Sequence, residues 1–130
     1  MDNPDTGERL RVVPGELRQR EVMVGRHLPP EADDLPRFLA RFEEAYNPAR
    51  LNQMRRVESV GAVHHRLLWI HPFLDGNGRV TRLMSHALFK RLGIGTSLWS
   101  VSRGLARDAQ RYKALLAVAD GSRRGDRDGR

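Results

Sequence analysis

His71-Pro72-Phe73-Leu74-Asp75-Gly76-Asn77-Gly78-Arg79-Val80-Thr81-Arg82 places one imidazole, one carboxylate, two glycines, an amide and two arginines within twelve positions. That inventory suits an anion accompanied by a hard cation. His71 accepts a proton near neutral pH, Asp75 offers oxygen to a divalent ion, and Gly76-Asn77-Gly78 brings backbone N–H groups close to a phosphate. Arg79 and Arg82 supply countercharge. Beyond the loop, Val80, Leu83, Met84, Ala87, Leu88 and Leu92 fall at offsets 0, 3, 4, 7, 8 and 12, which predicts an amphipathic helix opening directly out of it. A bound anion would then lie at a helix N-terminus, where unpaired N–H groups and the macrodipole favour negative charge.

Working outward, a second helix is expected from Leu51 to Ile70, with Leu51, Met54, Val57, Val60, Val63 or His64, and Leu67 inward. Pro72 disfavours helical geometry at His71, so this helix stops where the loop begins. Further upstream, Asp33-Asp34 predicts the cap of a helix carrying Leu35, Phe38, Leu39, Phe42 and Tyr46, ended by Asn47-Pro48. Pro14-Gly15 signals a turn. Val22 and Val24, followed by Gly25 and Pro29-Pro30, predict a short β-hairpin over about residues 17–28. Residues 1–13 read as an irregular arm. Downstream, Gly93 and Gly95 close the helix that follows the loop, Ser97 to Ser102 is a connector, and Leu105, Ala109, Tyr112, Leu116 and Ala119 predict one helix from Arg103 to Ala119. The expected fold is all-α, mainly helical, with one short β element and a domain spanning 14–120. Residues 121–130 read as a polar tail, abrupt enough to suggest a piece of a longer parent.

At 130 residues and 39% hydrophobic content, the chain supports a single modest core. It has no run of about 18 to 20 apolar residues that a membrane span needs, and no basic-then-apolar leader. The complete lack of cysteine excludes disulfides and thiolate metal sites and fits a cytoplasmic setting. The formal charge is +7, and among 23 basic residues only Lys90 and Lys113 are lysines. Because acidic residues are interspersed and aromatics are few, the charge reads as a solvated surface; a basic nucleic-acid-binding module is the weaker alternative. His64 and His65 diverge by about 100° on a helix and read as structural rather than as a zinc site. Trp69 and Trp99 read as core residues.

The loop resembles the signature of the Fic family, His-x-Phe-x-(Asp or Glu)-Gly-Asn-Gly-Arg-x-x-Arg, with every specified position matched by His71, Phe73, Asp75, Gly76, Asn77, Gly78, Arg79 and Arg82. Pro14-Gly15-Glu16 followed by Arg18 to Gly25 is similar to the family's flap, and Leu98 to Leu105 with Tyr112-Lys113 to a bacterial branch. The resemblance implies a protein adenylyltransferase, which moves AMP from ATP to a Ser, Thr or Tyr hydroxyl of a target protein. It implies His71 as the base and Asp75 as the Mg²⁺ ligand. Gly76, Asn77, Gly78 and Arg79 would hold the α- and β-phosphates, and Arg82 the γ-phosphate. Phe73 would anchor the loop in the core, Tyr112 and Asp120 would approach the adenine or ribose, and Arg20, Glu21, Val22, Met23 and Val24 would dock the target.

Other members of the family catalyse related phosphotransfer, including phosphorylation and transfer of other nucleotides or phosphocholine. Related kinases depart at the Gly78 position, which this chain keeps. The resemblance also implies an inhibitory helix, (Ser or Thr)-x-x-x-Glu-(Gly or Asn), whose Glu pairs with the second loop arginine, here Arg82. No Ser or Thr in the chain is followed four residues later by Glu. The expected inhibitor is therefore a separate antitoxin-like protein or a helix of a longer parent, and a homo-oligomer stays compatible with the sequence.

Overall fold

The computed structural model describes residues 6–47, 49, 56–95 and 100–121. A short 3-10 helix, Ala32–Asp34, leads into α1 (Leu35–Ala45); α2 (Arg56–Ile70), α3 (Asn77–Arg91), α4 (Val101–Arg107) and α5 (Ala109–Asp120) follow. The mainly helical class expected from the sequence is the one observed. The expectations for Leu51, Met54, Trp99 and the tail beyond Gly121 lie outside the described residues.

α2 is the central helix. Val60, Val63, Leu67 and Ile70 are buried along one stripe, and Leu35 at the start of α1 is buried with them. Val57, expected inward, is 61% exposed, so the stripe begins one turn later. Trp69 packs against Phe38 of α1 and beneath the guanidinium of Arg66, as a core-edge aromatic does. Asp34 precedes α1 but makes no side-chain cap bond; its carboxylate instead pairs with Arg37 at 3.3 Å.

The helix after the loop forms as expected, with a different face inward. Its buried residues are Asn77, Thr81 and Ser85, spaced by four, while Leu83 is 70% exposed and Val80 and Met84 also reach solvent. Small polar residues let α3 lie close along α2, and their hydrogen bonds are largely met: Ser85 Oγ donates to the Thr81 carbonyl at 2.9 Å. Periodicity alone located the helix but not its inner side. The C-terminal stop is as predicted, since Gly93 is left-handed (φ 74°), with Gly93 N–H donating to the Lys90 carbonyl and Ile94 N–H to that of Phe89.

The single helix expected from Arg103 to Ala119 is two. Asp108 (φ −137°, ψ 67°) breaks it and accepts from Arg111 N–H, capping α5. An aspartate with a competing local hydrogen bond is the physical reason for the break. The flap is also reduced relative to expectation. Among the described residues no strand forms; Val24 and His27 exchange backbone hydrogen bonds of 2.9 and 3.0 Å around Gly25-Arg26, a one-rung hairpin. The turn at Pro14-Gly15 is present, with Glu16 N–H donating to the Val13 carbonyl and Gly15 at φ 82°.

Candidate active site

α2 ends at Ile70 and α3 begins at Asn77, so residues 71–76 join two packed helices. The turn between them is built by two residues. His71 has φ 50°, the left-handed region that a β-carbon disfavours, and its N–H still donates to the Leu67 carbonyl at 3.1 Å. Gly76, at φ 83°, makes the opposite corner and precedes the helix without a side-chain cap. The first closing bond of α3 runs from Val80 N–H to the Gly76 carbonyl at 3.0 Å, so the N–H groups of Asn77, Gly78 and Arg79 stand ahead of any helical acceptor. That end is suited to an anion.

Asn77 holds the loop shut. Its Oδ1 accepts from Phe73 N–H at 2.9 Å and its Nδ2 donates to the Phe73 carbonyl at 2.8 Å, with the side chain buried. Expected among the phosphate-binding groups, the Asn77 amide is engaged here with the Phe73 backbone, and its own backbone N–H stands at the start of α3. Phe73 is correspondingly held by its backbone and is only half-buried, while Pro72 beside it is fully buried. Pro72 and Asn77 share the anchoring expected of Phe73.

The His71 imidazole is mostly buried, and burial lowers its pKa from the ordinary 6.5, aided by the nearby charges of Arg18 and His27 and opposed by a hydrogen bond to the Leu68 backbone. A neutral ring bonded through one nitrogen keeps the other free to accept a proton. Asp75 is exposed; its Oδ1 accepts from Gly76 N–H at 2.7 Å and its Oδ2 lies 3.3 Å from Arg79 Nη2. Arg79 therefore folds back over the loop, where a β-carbon on Gly76 would lie 3.3 Å from its Nη2. Arg82 folds the same way one turn later, with its Nη1 3.0 Å from where a β-carbon on Gly78 would stand. The two glycines thus leave room for the two guanidiniums.

Arg82 is backed by a network that the sequence did not reveal. Ser85 spends its proton on Thr81, so His64 Nδ1–H donates to Ser85 Oγ at 2.8 Å and His64 Nε2 accepts from the Tyr112 hydroxyl at 2.8 Å. Arg82 donates to Tyr112 in turn. Burial lowers the His64 pKa first, with the charges of Arg82 and His65 adding to it, and burial raises that of Tyr112 against the pull of Arg82. Tyr112 is thereby brought to the loop. Asp120 is not: it meets His65 Nε2 at 2.8 Å on the neighbouring face of α2. His64 lies seven residues before His71 on the same helical side, a spacing that would have linked it to the loop.

A groove of about 750 Å³ runs between residues 10–20 and the loop, floored by Phe73, Asp75, Arg79 and Leu83. Arg20 lines it; of the residues that follow, Glu21, Met23 and Val24 are exposed and Val22 is half-buried. Arg18, part of the expected flap but without a role assigned from sequence, is 4% exposed and joins this segment to the loop. Nothing local marks one arginine among so many.

The family model described as Fic/DOC family matches residues 4–89, which contain the flap segment, the loop and most of α3. The chain belongs to the Fic/DOC family. Its similarity to proteins named "Protein adenylyltransferase Fic" is 42% identity over 79 residues for those of Drosophila grimshawi and Drosophila mojavensis, and 40% for that of Drosophila melanogaster. These matches span 61% of this chain and 16% of each relative. A Fic domain-containing signaling protein from Bacteroides thetaiotaomicron shares the fold with a TM-score of 0.64 at 25% identity, over 82% of this chain and 40% of that one. The Fic loop, His71 to Arg82, thus stands in the helical setting that the family resemblance implied. No helix among the described residues is long and apolar enough to cross a membrane.

Proposed function

We propose that this chain is the catalytic domain of a protein adenylyltransferase, moving AMP from ATP to a Ser, Thr or Tyr hydroxyl of a target protein. The observation that carries the reading is the pairing of a neutral, backbone-bonded His71 with a helix N-terminus flanked by two folded-back arginines. The names of the relatives point the same way. In this reading the free His71 nitrogen takes the hydroxyl proton as that oxygen attacks the α-phosphorus, and the bond from the α-phosphorus to pyrophosphate breaks. The N–H groups of Asn77, Gly78 and Arg79 receive α- and β-phosphate oxygens, Arg79 the β-phosphate and Arg82 the γ-phosphate.

Asp75 fits as the Mg²⁺ ligand. It is an exposed carboxylate at the phosphate end, and no group of three or more His, Asp or Glu surrounds it among the described residues. That sparse donor set suits an ion held by one carboxylate together with water and substrate phosphates. When bound, the ion neutralises charge on the departing pyrophosphate. Tyr112 would face the nucleoside, and Arg20 to Val24 would take the target backbone as an added strand. An acidic side chain from a separate inhibitor, or from elsewhere in a longer parent, would compete for Arg82.

Comparing ATP labelled at the α- or the γ-phosphorus tests the reaction type. Label on protein from α-labelled ATP alone supports AMP transfer; label from γ-labelled ATP would show a kinase instead.

A further inference from the structure

We propose that Arg18 is a positioning residue for this reaction: its buried guanidinium joins the backbone of His71 to both ends of the flap and holds the base in place. The inference rests on the reading of His71 as the base. His71 is the one non-glycine residue with positive φ among those described, and such a conformation persists only where its surroundings impose it. Arg18 imposes it from two sides. Its Nε donates to the His71 carbonyl at 2.8 Å, and its backbone N–H donates to the Pro72 carbonyl at 2.9 Å. Its remaining donors reach elsewhere: Nη1 to the Arg20 carbonyl at 3.0 Å and Nη2 to the Pro30 carbonyl.

The planar fork thus gathers three carbonyls, from residues 20, 30 and 71, at one buried point. A lysine ammonium is a single point charge and cannot span that spread. The acidic partner is weak, since Glu21 lies 3.9 Å away with a largely exposed side chain. The bonds to carbonyls therefore define the site. Because residues 20 and 30 flank the Val24–His27 hairpin and both bond to Arg18, displacement of the flap by a docked target would be felt at the His71 backbone. The charged or titratable groups that bear on the ring are Arg18 and His27, both disfavouring the imidazolium, while the Leu68 backbone opposes them. Loss of the guanidinium should therefore raise the pH at which His71 binds its proton.

The test compares the full chain with Arg18→Lys and Arg18→Met by transfer kinetics with α-labelled ATP and by NMR titration of the His71 ring. The expected result is a fall in kcat of about tenfold or more, with KM for ATP held within about threefold, in both variants. The His71 titration should move upward in Arg18→Met. A folded Arg18→Lys or Arg18→Met with wild-type kcat, or a folded Arg18→Met with an unmoved His71 titration, overturns the proposal. If neither variant folds, the wild-type Arg18 Nε–H decides: slow solvent exchange with a through-bond coupling to the His71 carbonyl supports it, and fast exchange without coupling overturns it. If wild type transfers no label, the assigned reaction fails while the NMR measurements still judge Arg18.

Discussion

His71 and His64 are both held neutral by burial, and the consequence for each follows from the sign of that shift. A folded-state pKa below the unfolded value means that the unfolded chain binds the proton more readily, so the contribution is intact above the unfolded pKa and is lost as pH falls through the folded one. Thermal melting followed from about pH 7.5 to about pH 5 should show Tm steady at the upper end and falling below about 6.5. The rate of transfer should also hold at neutral pH and decline on the acid side, where the imidazole ceases to be a base. Asn77 gives a second prediction at this scale. Because both Phe73 backbone groups depend on its buried amide, Asn77→Ala should cost about 1–3 kcal/mol in denaturant unfolding as well as lowering activity. An unchanged unfolding midpoint would mean that the clamp contributes nothing.

At the level of elements, the entry to α3 separates two glycines that look alike in the sequence. Gly76 has a left-handed backbone, so Gly76→Ala should destabilise by about 1–2 kcal/mol in denaturant unfolding whatever it does to nucleotide. Gly78 is helical, and its added methyl would press only on the end of the Arg82 side chain. Gly78→Ala should therefore leave Tm unchanged or slightly raised, because alanine favours helix by about 1 kcal/mol over glycine, while weakening Mg·ATP binding in a calorimetric titration. The loop and its flanking helices were legible because glycine, proline and a fixed motif mark local backbone geometry. The inner face of α3 was not, since packing against α2 selected Thr81 and Ser85 over Leu83, and the Asp108 break was hidden beneath an unbroken apolar period.

Across the whole molecule, the site depends on contacts between distant stretches of chain. Arg18 meets His71 across 53 positions and His64 meets Tyr112 across 48, which no local pattern in the sequence announces. The core stripe on α2 carries the arrangement, so Leu67→Ala should cost about 2–5 kcal/mol in unfolding free energy. In the reaction proposed for this domain, the central claim is that His71 takes the proton of the attacking hydroxyl. The direct measurement is transfer of label from α-labelled ATP and Mg²⁺ to protein in cell lysate, comparing wild type with His71→Ala, alongside calorimetric binding of ATP to both. Labelled protein is expected with wild type and none with His71→Ala, with ATP affinity within about threefold between them. Undiminished transfer by His71→Ala would contradict it.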